Sequence, residues 1–255
     1  MEEPIGDRQD PLDDLLDDEE LSLEEGGVPA EVRQRLVLAL DVDDLVEARR
    51  LGGLLAPYFG TVKVGLELYT ASGPDAVGAF VEAGFDVFCD LKLHDIPNTV
   101  GRAARVVGSL GARWVTVHTS GGATMLKAAV DGLADGAAGA DLAVPGVLGI
   151  TVLTSDQVAS QEQLEERCGL AVDSGCEGIV CAATDLAATS RFAGRLVRAV
   201  PGLRLPGGAT HDQARVASPR EALDEGADLL VVGRAVTAVD DPIAACEDLV
   251  DHLLG

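Results

Sequence analysis

Positive charge is scarce in this chain. Its 255 residues hold 19 lysines and arginines against 43 aspartates and glutamates, a formal charge of −24. That balance excludes a nucleic-acid binder, whose affinity rests on clustered Lys and Arg. Long apolar runs are missing too. The longest, Leu142 to Leu153, is interrupted by Pro145, Gly146 and Gly149 and falls well short of the roughly 20 residues of a membrane span. The first residues are acidic where a secretory leader would be basic and then apolar, so a cytoplasmic location is expected. No C-x-x-C pair occurs. Cys89, Cys168, Cys176, Cys181 and Cys246 are scattered, which fits reduced thiols better than a disulfide frame or a zinc knuckle.

What the chain does have is apolar mass, 47% of its residues, and 30 glycines, which together fit a globular protein with many tight turns. Charge is uneven along it. Residues 1–30 hold 12 acids and one base, Arg8, so they are expected to form a disordered acidic extension ahead of a catalytic domain at 31–255. Leu12, Leu15 and Leu16 share helical spacing, which leaves a partner-binding turn as the alternative.

From Arg35 onward apolar segments alternate with amphipathic ones. Strands are expected at 35–41 (RLVLALD), 61–65 (TVKVG), 86–92 (DVFCDLK), 113–118 (RWVTVH), 146–153 (GVLGITVL), 178–182 (GIVCA), 203–205 (LRL) and 228–233 (DLLVVG). Most are continuous apolar runs, as in a parallel sheet buried on both faces. Helical patterns cover 44–56, 74–83, 97–110, 123–133, 157–174, 185–200, 219–225 and 242–254. Pro74, Pro97, Pro219 and Pro242 stand at helix starts, and Gly84, Gly111, Gly175 and Gly226 at helix ends. Eight strand-then-helix units predict a (β/α)8 TIM barrel. A doubly wound sheet would need a glycine-rich turn after the first strand, and LALDVDD (38–44) has no glycine.

Chemistry in such a barrel sits at the C-terminal ends of the strands. The polar residues there are Asp41, Lys63, Asp90, Lys92 and Asp95, His118, Thr154 and Ser155, Arg204, and Gly233 with Arg234. Asp90 and Lys92, two apart on a strand, share one face. A self-satisfied buried ion pair is the plain alternative. It explains poorly why two of only three lysines, Lys63 and Lys92, lie on strands in a chain with 16 arginines. Lysine is costly to bury and, unlike arginine, can give up its proton. Arg204 and Arg234, beside Gly233, stand where barrels bind phosphate, although surface arginines without a ligand would fit the bare dipeptide. Asp41 fits a helix cap or a site residue equally. No second His or carboxylate lies three or four residues after His94 or His118, so structural roles are expected and no metal is assigned.

The segment FCDLKLHDIPNTV (88–100) resembles the signature of the orotidine 5′-phosphate decarboxylase family. LALD (38–41), VKVGLEL (62–68), VTVH with the following GG (115–122), LTS (153–155), PGLR (201–204), DQARVASP (212–219) and VVGRAVTAVDDP (231–242) are similar in the family's order. The resemblance implies cofactor-free decarboxylation of orotidine 5′-monophosphate to uridine 5′-monophosphate, the last step of de novo pyrimidine synthesis. It implies that Lys92 protonates C6, that Asp90 faces the departing carboxylate, and that Lys63, Asp90, Lys92 and Asp95 form a charge network. Asp41 and Lys63 would hold the ribose, Thr154 the pyrimidine, and Arg204, Gln213, Gly233 and Arg234 the phosphate, under a loop at Pro206–Thr210. A homodimer is implied, with Asp95 and Thr99 reaching the neighbouring site. Thr119 and Ser120 depart from the family's small apolar residues, and the acidic extension has no counterpart in its core. The rival expectations are a magnesium-dependent sugar-phosphate decarboxylase or aldolase on the same barrel, and a non-catalytic nucleotide-binding barrel.

Overall fold

The structure, a computed structural model, describes residues 28–153, 159–205 and 217–255. The acidic segment up to residue 27, Thr154, Ser155, the Pro206–Thr210 loop and Gln213 lie outside the described residues. Short α1 (Ala30–Arg35) leads into β1 (Leu36–Leu40), α2 (Leu45–Leu55), β2 (Thr61–Gly65), α3 (Leu66–Ser72), α4 (Asp75–Glu82), β3 (Asp86–Leu93) and α5 (Pro97–Gly108). Then follow β4 (Trp114–His118), α6 (Gly122–Ala140), β5 (Gly146–Ile150), α7 (Gln161–Asp173), β6 (Gly178–Val180) and α8 (Leu186–Thr189). The chain finishes with β7 (Val197–Val200), α9 (Pro219–Asp224), β8 (Leu229–Val232), α10 (Arg234–Thr237) and α11 (Pro242–Leu254).

The strands pair in parallel in chain order, and β8 returns to β1, where Val37 lies opposite Val231, to close the barrel. Alternation along each strand sorts the side chains. Val37, Ala39, Phe88, Trp114, Leu148, Ala199, Leu229 and Val231 fill the interior. Their neighbours Leu36, Leu38, Leu40, Val62, Val64, Val87, Cys89, Val115 and Val117 face outward into the helix layer. Burial on both faces is why these strands read as unbroken apolar runs. Gly84, Gly111, Gly175 and Gly226 take positive φ of 81°, 82°, 81° and 94°, the left-handed turn that ends a helix and feeds the next strand.

Two expectations need correction. The seventh strand is Val197–Val200, not 203–205, and it occupies the end of the span assigned to a helix at 185–200. Arg198, buried at mid-strand, mimics the polar face of a helix, while Gly194 at φ 75° breaks the chain just before it. Asp228 explains the buried arginine, since its Oδ2 accepts from the Arg198 backbone N–H at 2.8 Å and lies 3.7 Å from Nε. Arg204 therefore lies in the connection after β7 rather than on a strand. The second correction concerns α6, expected at 123–133, which runs on to Ala140 through Gly132 and Gly136. Those glycines are not terminators. Both are buried, and each sits against the backbone of α5.

Candidate active site

Lys63 projects into the barrel from β2, between the outward Val62 and Val64, and is 8% exposed. Its Nζ donates to Asp41 Oδ1 at 2.9 Å and stands 3.6 Å from Asp90 Oδ2. Lys92 Nζ donates to the same Asp90 Oδ2 at 2.7 Å. One buried carboxylate thus lies between two ammonium groups at the mouth of the barrel, with Asp41, half exposed, beyond the first. Asp41 is free for this because Asp44 caps α2, accepting from the Glu47 N–H at 2.8 Å.

The meeting of Asp90 and Lys92 is less regular than strand spacing implies. Lys92 has φ 50°, a left-handed conformation that costs a non-glycine residue on the order of 1 kcal/mol. Pairing of β3 with β4 slips here, from Cys89 opposite Val115 to Leu93 opposite Val117. This is a bulge of the kind that re-aims side chains next to active sites. Leu91 turns outward to the helix layer while Asp90 and Lys92 meet at the interior face.

Burial raises the Asp90 carboxyl. The charges of Lys63 and Lys92, with hydrogen bonds from Lys92 and Thr116, outweigh it and hold the group below the usual carboxylate range. A carboxyl depressed in the fold stabilises it above the unfolded-state value, and that contribution is lost as pH falls through the depressed one. Cys89, on the opposite face of the strand, is pushed up to about 12 by burial and by the Asp90 charge, so it packs as a thiol. His94 and His118 stack on one another, ring centroids 5.2 Å apart.

Other site candidates are dispersed. Asp95 makes no ion pair with either lysine of its own chain, and its carboxylate accepts from the Ile96 N–H at 2.6 Å. Thr99 is exposed in the first turn of α5. Gly233 and Arg234 close β8, with Arg234 starting α10.

Two further residues belong to the site. Thr116 reaches the Asp90 carboxylate from β4 at 3.0 Å; its signal was a hydroxyl inside an apolar strand, in phase with Trp114. Gly65 is the second. A Cβ there would stand 2.9 Å from Lys63 Nζ and 3.1 Å from Asp41 Oδ1, so the Lys63–Asp41 pair occupies the room that glycine leaves. Because Lys63 Nζ is the end of a flexible chain, Gly65→Ala should fold normally yet displace the ammonium. A roughly 10- to 100-fold fall in kcat/KM with little change in Tm is expected, and unchanged kinetics would show that the placement of Lys63 does not matter.

The fold and this cluster define a class: (β/α)8 enzymes whose strand ends carry alternating lysines and aspartates. The family model described as Orotidine 5′-phosphate decarboxylase / HUMPS family matches residues 34–249. The chain is 41% identical over 225 residues to the orotidine 5′-phosphate decarboxylase of Moorella thermoacetica, covering 84% of this chain and 89% of that protein. It is 43% identical over 222 residues to that of Halorhodospira halophila, covering 83% and 92%. The crystal structure of orotidine 5′-phosphate decarboxylase from Lactobacillus acidophilus superposes with a TM-score of 0.71 at 31% identity, over 87% of this chain and 100% of that one. The chain belongs to the orotidine 5′-phosphate decarboxylase / HUMPS family.

Proposed function

We propose that this chain decarboxylates orotidine 5′-monophosphate to uridine 5′-monophosphate, closing de novo pyrimidine synthesis in the cytoplasm, with residues 31–255 as its catalytic domain. The observation that carries this reading is the Lys63–Asp90–Lys92 triad, two ammonium groups held on one buried carboxylate at the mouth of the barrel. When the C6–carboxylate bond breaks, CO2 leaves and the electron pair stays on C6. The Lys92 ammonium, fixed beforehand by Asp90, stabilises that charge and then gives its Nζ proton to C6. Charge stabilisation and proton both come from one side chain, so the step calls on no cofactor.

Binding is divided along the strand ends. Asp41 and Lys63 take the ribose hydroxyls and Thr154 the pyrimidine edge. Arg204, Gln213, Gly233 and Arg234 take the phosphate, whose remote binding energy serves to orient the ring. The enzyme acts as a homodimer in which Asp95 and Thr99 complete the neighbour's site. Supporting this, Asp95 is not engaged with its own lysines, and Ile96 beside it is an apolar side chain left 66% exposed.

The test is to add orotidine 5′-monophosphate to the purified protein in excess chelator and follow the orotate ultraviolet absorbance. Loss of the absorbance is expected. Activity only after magnesium is restored, or on a sugar phosphate instead, would support the rival barrel enzyme, and a folded protein inert to both would support a binding role. Among the described residues no helix is long and apolar enough to cross a membrane.

A further inference from the structure

The Thr116 hydroxyl has two partners, and their chemistry fixes its orientation. The Lys92 backbone N–H, 2.8 Å away, can only donate, so the hydroxyl oxygen accepts there. Asp90 Oδ1, 3.0 Å away, is a carboxylate oxygen, so the single hydroxyl proton goes to it. A closed circuit results. Thr116 holds Asp90 by Oδ1, Asp90 holds the Lys92 ammonium by Oδ2, and Thr116 holds the backbone of Lys92.

This circuit lies where ordinary strand pairing gives out. Between the Cys89–Val115 and Leu93–Val117 pairs, the ladder leaves the bulged stretch of β3 out of register with β4. The hydroxyl accepts the N–H of the bulge residue, Lys92, whose φ is 50°. Valine would fill the same space in this fully buried position, between strand neighbours that are themselves valines. Packing therefore does not explain the threonine.

We propose that Thr116 is a positioning residue for the decarboxylation, its hydroxyl fixing both the Asp90 carboxylate and the bulge that delivers the Lys92 ammonium to C6. The inference rests on the reading of Lys92 as proton donor. Removing the hydroxyl leaves Lys92 N–H and Asp90 Oδ1 without it, frees the carboxylate to rotate, and lets the ammonium follow.

The experiment compares Thr116→Val and Thr116→Ser with wild-type enzyme by kcat, by KM and by affinity for uridine 5′-monophosphate. Thr116→Val is expected to lose kcat roughly 10- to 100-fold, the cost of a misplaced reacting group, with product affinity within a few-fold. Thr116→Ser, which keeps the hydroxyl, is expected to recover most of kcat. Wild-type kcat in Thr116→Val, or equal losses in the valine and serine variants, would overturn the proposal. If Thr116→Val does not fold, serine is set against cysteine, which has the same shape but hydrogen-bonds weakly; equal kcat in those two overturns it as well. A wild-type enzyme that leaves orotidine 5′-monophosphate untouched would instead fail the functional reading itself.

Discussion

Lys92→Ala is expected to lose at least about 10⁴-fold in turnover while still binding uridine 5′-monophosphate. General acid catalysis alone contributes about 10²–10⁴, and preorganised charge stabilisation adds to it. In the proposed mechanism both are assigned to one Nζ atom, held 2.7 Å from Asp90 Oδ2. Binding should survive because Asp90 keeps Lys63 at 3.6 Å and Thr116 at 3.0 Å, which leaves the carboxylate paired after the lysine is gone. Lys92→Arg separates the two roles. It restores positive charge beside Asp90 but cannot give up its proton, so it should bind product and stay nearly inactive. Substantial turnover in the arginine variant would leave electrostatics as the role of Lys92 and move the proton donor elsewhere. Normal turnover in the alanine variant would remove Lys92 from the chemistry.

The same residues show what could be read from the sequence. Lysine is so rare in this chain, and so unfavourable within an apolar strand, that Lys63 and Lys92 stand out by type and place as candidates, and the fold brings both to Asp90. The eight-strand beat was legible because burial on both faces leaves little doubt about a parallel strand. β7 was missed where that rule is broken, by a buried arginine whose partner Asp228 lies 30 residues further on. Asp41 was ambiguous because Asp41, Asp43 and Asp44 crowd the start of α2, and which of them caps it depends on backbone angles that composition does not encode. Thr116 was passed over because its importance comes from the bulge at Lys92. A departure from strand geometry of that kind depends on the pairing with β4 and leaves no periodic trace.

A variant with Gly132→Ala and Gly136→Ala together is expected to fall in Tm by roughly 8–16 °C, the largest stability effect foreseen. Helix propensity argues the other way, since alanine in place of glycine favours a helix by about 1 kcal/mol per site. Packing decides the sign. A Cβ at Gly136 would fall on the Arg105 carbonyl oxygen, and one at Gly132 on the carbonyl oxygen of Gly101, both backbone atoms of α5. Backbone cannot rotate aside as a side-chain tip can, so each substitution costs near the upper end of the usual overpacking range of about 1–3 kcal/mol. Two sites at about 3 kcal/mol, less about 1 each for propensity, leave a net loss of about 4 kcal/mol. At about 2–4 °C per kcal/mol for a chain of this size, that gives the stated fall. Gly139, in the same helix but with nothing within 4 Å of its Cβ position, supplies the control: Gly139→Ala should raise Tm by a few degrees. Thermal unfolding of the three proteins checks both signs. A double variant as stable as wild type would mean that α5 and α6 can part without cost, and that the glycines in α6 serve no packing purpose.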